Sequence, residues 1–166
     1  MEQRRSVLKK ILASVAGLSV LGISKNAVAA PAAAPTGHAP AAAPTDEKIV
    51  GDIITFQQIP LFSSSTKLGN MVFIAGVGAH VEPFEIKAHT EIVLKELEKQ
   101  LIKAGSSMEK VLKVSVFLDD IANWAPMNEV YAGRFGKNPP VRTTVAVAKG
   151  GVPGNSLVEM DCIAYV

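Results

Sequence analysis

The stretch from Pro139 to Val166 constrains this chain more than any other. Val141 to Ala148 and Ser156 to Val166 each alternate with a period of two, the pattern of strands whose successive side chains face opposite ways. Between them, Gly150-Gly151-Val152-Pro153-Gly154-Asn155 is turn chemistry, and the pair reads as a hairpin with a long loop. One face of the first strand carries Val141, Thr143, Val145 and Val147; the other carries Arg142, Thr144, Ala146 and Ala148. In the second strand, Glu159 and Asp161 share a face with Leu157, Ile163 and Tyr165. Arg and Glu are seldom buried without partners, so Arg142 and Glu159 are either members of a structural ion pair or functional groups.

Upstream, the segment from Lys48 to Phe56 is rich in β-branched residues and reads as a first strand. Gln57 to Lys67, with Pro60 and three serines, reads as a loop. Met71 to Gly76 reads as a second strand that follows a Gly69-Asn70 turn and pairs with the first. From Pro83 to Ala104 the apolar residues Ile86, Val93, Leu94, Leu97 and Leu101 recur at helical spacing, and Gly105 is placed to end the helix. Val111 to Leu118 alternates again. A second helix is expected from Trp124 to Phe135, with Asn123 as its cap. The order β-β-α-β-α-β-β supplies two helices, enough for one face of a sheet. Its last strands are apolar or small on both faces, so the uncovered face calls for a partner subunit.

The first third differs in composition. Gln3-Arg4-Arg5-Ser6-Val7-Leu8-Lys9-Lys10 resembles a twin-arginine export motif. Ile11 to Ile23 is an apolar centre, shorter than the roughly 20 residues needed to span a bilayer. Ala27-Val28-Ala29 resembles a cleavage site. The expected organisation is a signal peptide over 1–29, an Ala/Pro-rich linker over 30–47 and one domain over 48–166. The expected location is the periplasm, with membrane contact only during export. Of the 17 Lys/Arg and 15 Asp/Glu side chains, residues 1–29 hold five and one, leaving 12 basic against 14 acidic and a net charge of −2. That balance argues against nucleic acid as a partner. Cys162 is the only cysteine, so no intrachain disulfide forms, and its place in an alternating strand marks it as a core thiol. His80 and His89 have no ligand partners at metal-binding spacing, and no metal is expected.

Pro140-Val141-Arg142-Thr143-Thr144-Val145-Ala146-Val147, followed by Val158-Glu159-Met160-Asp161-Cys162-Ile163-Ala164, closely resembles the C-terminal signature of the reactive-intermediate deaminases (Rid, formerly YjgF). Ala88-His89-Thr90, the Ala104–Val111 link, Val114 to Asp120 and Met127-Asn128-Glu129-Val130-Tyr131 extend the likeness over nearly all of residues 48–166. The resemblance implies an α+β, chorismate-mutase-like fold: one mixed sheet, two helices on one face, and a homotrimer with sites between subunits. It implies hydrolysis of enamine/imine intermediates to 2-keto acids and ammonia without cofactor. By position, Arg142 would hold the substrate carboxylate, Glu159 would orient or activate water, and Thr144 would stand where deaminating members commonly have Cys. Asn128 would lie near the pocket, as would Phe62, Ala75 and Gly76. Leu61-Phe62-Ser63-Ser64 and Ala75-Gly76-Val77 replace the family's usual Pro-Tyr-Ser-Gln and Ser-Gly-Gln, removing two pocket hydroxyls and favouring larger or more apolar imines. The face carrying Arg142, Thr144 and Ala146 is expected in the trimer interface.

Three function classes follow, in this order: an exported imine/enamine deaminase acting on a small imino or keto acid; a non-catalytic trimeric binder of small carboxylates; and a ribonuclease, which the mature charge opposes.

Overall fold

The structure, a computed structural model, describes residues 47–166. The export signal expected over 1–29, and the linker up to residue 46, lie outside the described residues. Ten strands and helices follow in the order β1 (Ile49–Val50), β2 (Ile53–Phe56), β3 (Ile59–Ser63), β4 (Ser65–Leu68), β5 (Met71–Gly78), α1 (Ile86–Lys103), β6 (Val111–Leu118), α2 (Trp124–Tyr131), β7 (Val141–Ala146) and β8 (Val158–Tyr165). Six strands form one mixed sheet in the order β1-β4-β5-β8-β6-β7, and β2 with β3 forms a separate two-stranded ribbon. This is the expected α+β architecture.

Two local expectations are corrected. The segment over 57–67 is not a loop but β3 and most of β4, and β4 lies between β1 and β5, so the first two expected strands do not pair. The turn that makes this possible is Gln57-Gln58, both left-handed at φ 49° and 66°. Such a two-residue turn ordinarily uses Asn or Gly, so its residues gave no signal. The second correction concerns the terminal hairpin. β7 and β8 do not pair: β8 runs antiparallel between β5 and β6, while β7 runs parallel to β6 at the sheet edge. Parallel pairing needs a crossover, and α2 between β6 and β7 supplies it.

The core lies between one face of the sheet and the two helices. Val72 and Ile74 of β5, Val114, Val116 and Leu118 of β6, and Val158, Met160, Cys162 and Ala164 of β8 pack with Val93, Leu94, Leu97 and Leu101 of α1 and Met127 of α2. Each such aliphatic side chain stabilises the fold by about 1.5–3 kcal/mol relative to exposure. Burial pushes the Cys162 thiol up to about 12, so it remains protonated, as expected of a core residue. Helix α1 starts three residues later than expected, at Ile86. It ends with the Ser106 amide donating to the Leu101 carbonyl and Gly105 at φ +85°, the predicted left-handed stop. Helix α2 ends at Tyr131 rather than Phe135. Asn123 sits at its N-cap position without capping; its side-chain amide donates to Asp119 Oδ1 at 2.7 Å instead.

His89 is fully buried on the apolar stripe of α1. Its Nδ1 accepts from the Leu157 amide at 3.1 Å, and its Nε2 lies 3.0 Å from the Val81 carbonyl, which defines the neutral tautomer with the proton on Nε2. The ring thereby ties the segment before α1 to the start of β8, with Phe84 edge-on at 5.4 Å. His89→Ala should lower stability by about 2–4 kcal/mol in denaturant unfolding, through the cavity and two orphaned backbone groups. His89→Gln, which keeps a donor and an acceptor, should lose less.

Candidate functional site

The register decides which face each candidate occupies. Val114 pairs with both Arg142 and Cys162, and Val116 with both Thr144 and Met160. Because paired residues point the same way, Arg142 and Thr144 face the helices. Phe117 pairs with Val145 and Glu159, so these three share the uncovered face. This corrects the expectation that Arg142, Thr144 and Ala146 line the bare face of the sheet. Val141, Thr143 and Val145 do so, beside Ser115, Phe117, Glu159, Asp161 and Ile163.

On the helix side, Arg142 extends from the edge strand to α2. Its Nη1 donates to Asn128 Oδ1 at 2.8 Å, and its guanidinium carbon lies 4.6 Å from the centre of the Tyr131 ring. Asn128 and Tyr131 are three residues apart on α2 and so share a face. Arg142 is half-buried and has no carboxylate partner among the described residues. The Thr144 hydroxyl and the Tyr131 phenol are buried without hydrogen-bond partners. Burial raises the Tyr131 phenol to about 12 against the opposing pull of Arg142, so it stays neutral. Tyr131 is the residue that sequence reasoning missed as part of this group. The signal was present in its i+3 spacing from Asn128.

On the open face, Glu159 lies over the irregularity in β5 where the register with β8 shifts between Ile74 and Val77. A Cβ at Gly76 would sit 2.9 Å from Glu159 Cδ and closer still to Oε1, so the carboxylate occupies the space that glycine leaves. Neither Glu159 oxygen has a hydrogen-bond or ion-pair partner among the described residues. Phe117, Val147, Gly151 and Val152 complete a cavity of about 140 Å³ beside it. Ala75, next to Gly76, donates its amide to the Ser64 carbonyl at 3.0 Å, which ties this bulge to the end of β3. Phe62, two residues before Ser64, is exposed on β3. The candidates therefore separate: Arg142, Thr144 and Asn128 lie toward the helices, Glu159 lies on the open face against Gly76 with Ala75 beside it, and Phe62 stands on the separate β2–β3 ribbon. Among the described residues no cluster of three or more His, Cys, Asp or Glu is arranged to hold a metal ion.

A mixed six-stranded sheet with two helices on one face defines the class of protein, an α+β fold of the kind that the sequence led one to expect. The chain belongs to the Rid/YjgF/UK114 family, whose sequence profile, described as Endoribonuclease L-PSP, matches residues 55–166. A RutC family protein of Pyrococcus abyssi is 36% identical over 110 residues, covering 63% of this chain and 85% of the relative. Reactive Intermediate Deaminase A, chloroplastic, of Arabidopsis thaliana is 34% identical over 110 residues, covering 62% of this chain and 57% of the relative. A crystal structure of a YjgF/YER057c/UK114 family member from Mycobacterium tuberculosis superposes with a TM-score of 0.58 at 31% identity, covering 63% of this chain and 86% of that one.

Gly76→Ala is expected to displace the Glu159 carboxylate while leaving the sheet folded. The displacement should appear as a rotated Glu159 side chain in a crystal structure of the variant, with only a small change in melting temperature, because the atoms in the way belong to a flexible side chain.

Proposed function

We propose that the protein hydrolyses reactive enamine/imine intermediates to 2-keto acids and ammonia. The observation that carries this reading is Arg142: a half-buried guanidinium contacted by neutral groups and without a counter-ion among the described residues. Such a planar fork matches a carboxylate with two parallel hydrogen bonds. Glu159 supplies the second requirement, an unpaired carboxylate beside a small cavity. In the reaction, water adds to the imine carbon while Glu159 takes its proton. That proton passes to the substrate nitrogen to give a carbinolamine; Glu159 then moves the carbinolamine hydroxyl proton to the same nitrogen, the carbon–nitrogen bond breaks as the carbonyl forms, and ammonia leaves. Removing such a general base typically lowers the rate by about 100- to 10,000-fold. The Thr144 hydroxyl, buried without a partner, is available to the substrate nitrogen or the water.

Arg142 and Glu159 stand on opposite faces of one sheet, so the productive site joins the Arg142 group of one copy to the Glu159 group of another. A homotrimer, closed by rotation, presents such a junction three times and covers the open face in doing so. The relative named as a deaminase supports the chemistry. The net charge of −2 beyond residue 29 weighs against reading the name of the matched profile as an activity on RNA.

Arg142→Ala and Glu159→Gln should each be inactive alone. Mixed, dissociated and reassembled, they should recover about a quarter of wild-type turnover, since one junction in four pairs an intact arginine with an intact glutamate. Recovery is read as ammonia release from imino acids; none on mixing would place both residues in one protomer's site or neither in any. A wild-type protein that binds a 2-keto acid and never accelerates ammonia release would instead be a carboxylate binder.

We also propose that residues 1–29 direct export to the periplasm with cleavage after Ala29, on the strength of Arg4-Arg5 and Ala27-Val28-Ala29. Replacing both arginines by lysine should leave precursor in the cytoplasm, visible as the longer band on fractionation.

A further inference from the structure

We infer that Asn128 and Tyr131 form a charge-preserving clamp that orients the Arg142 guanidinium for a ligand carboxylate, which makes Tyr131 a positioning residue. The inference rests on the carboxylate-binding reading of Arg142 and deepens it. A long arginine side chain at a sheet edge loses rotamer freedom when it is fixed, so a ligand meets a prepared fork only if the protein has already fixed it. The most direct way to fix a guanidinium is a carboxylate, and the other described arginine uses one. Arg134 pairs with Glu91 and donates its Nε to the Val130 carbonyl at 3.1 Å. Its charge is compensated.

Arg142 is held differently. An amide oxygen takes one Nη1 hydrogen at 2.8 Å, and an aromatic face lies 4.6 Å from the guanidinium carbon. Both contacts restrict the plane of the fork, and neither carries a formal charge. The ring attracts the cation through its quadrupole alone. Among the guanidinium's five donors only one is engaged by a described side chain, which leaves an edge for two parallel bonds to an anion. The two buried hydroxyls without partners, on Tyr131 and Thr144, lie in the same group. Buried polar atoms are nearly always hydrogen-bonded, and this pair marks a place completed by something else.

The clamp predicts an asymmetry that a merely structural contact does not. Asn128→Asp keeps the shape and should strengthen the hold on Arg142, yet it cancels the charge that the ligand needs. Calorimetric titration with 2-oxobutanoate should show affinity falling at least about tenfold, with the melting temperature unchanged or raised. Tyr131→Leu should weaken binding by about three- to tenfold, raise KM and leave kcat unchanged, whereas Tyr131→Phe, which keeps the ring face and loses only the hydroxyl, should retain more affinity than Tyr131→Leu. In an Arg142→Ala background, Tyr131→Leu should have no further effect on affinity. Wild-type affinity in both Asn128→Asp and Tyr131→Leu would overturn the clamp, as would a Tyr131→Leu protein that loses stability and kcat at unchanged KM. If Tyr131→Leu does not fold, the isosteric Asn128→Asp still decides. Wild-type protein that does not bind 2-oxobutanoate would overturn the carboxylate reading itself, and the clamp with it.

Discussion

The structure depends on where β8 lies. Inserted antiparallel between β5 and β6, it buries Val158, Met160, Cys162 and Ala164 against the helices. A strand bonded on both sides satisfies its backbone donors and acceptors within the sheet, so its alternate residues can enter a dry core without orphaned polar groups. The same alternation sends Glu159, Asp161 and Ile163 to the other face. His89 anchors the beginning of this strand through the Leu157 amide, and Ser106 anchors its end by donating to the Tyr165 carbonyl at 2.6 Å. A one-residue slip would exchange the two sets, and the buried apolar set holds the register.

That constraint makes the candidate site two-sided. Arg142 reaches the site only from the helix side and Glu159 only from the open side, and a period of two permits neither to cross. The proposed chemistry, which needs an anion-binding fork and a proton-accepting carboxylate together, would therefore be chemistry of an assembly. The bare face, with Phe73, Val141 and Val145 exposed, has the apolar character that such an assembly would cover.

The electrostatics of the two groups differ in a way that suits their proposed tasks. Arg142 is held by one hydrogen bond and a ring face and has no carboxylate partner among the described residues, an arrangement that suits the proposed binding of an anion. Glu159 is uncompensated and stands in a recess made by a missing side chain at Gly76, with hydrophobic walls from Phe117, Val147 and Val152. In the proposed reaction, binding and proton transfer would fall to separate elements: an edge strand with a short helix, and the central strand β8 beside the irregularity in β5.

Much of this was legible in the residues themselves. The periodicities of β6, β7, β8 and α1 identified those elements, Gly105 marked the end of α1, and the singular Arg142 and Glu159 stood out against their neighbours. Local preference and hydrophobic period act through near neighbours in the chain, and those a sequence displays. The Gln57-Gln58 turn, the insertion of β4 between β1 and β5, and the separation of β7 from β8 by β6 were not legible. Strand order is a competition among non-local pairings, settled by which arrangement buries the most apolar surface with its hydrogen bonds intact. The contact of Arg142 with Asn128 and Tyr131 belongs to the same class. The sequence by itself determined which residues could act, because charge and side-chain shape are local properties. Only the tertiary structure decided that they stand on opposite faces of the sheet, because a side chain's face depends on its strand's partners.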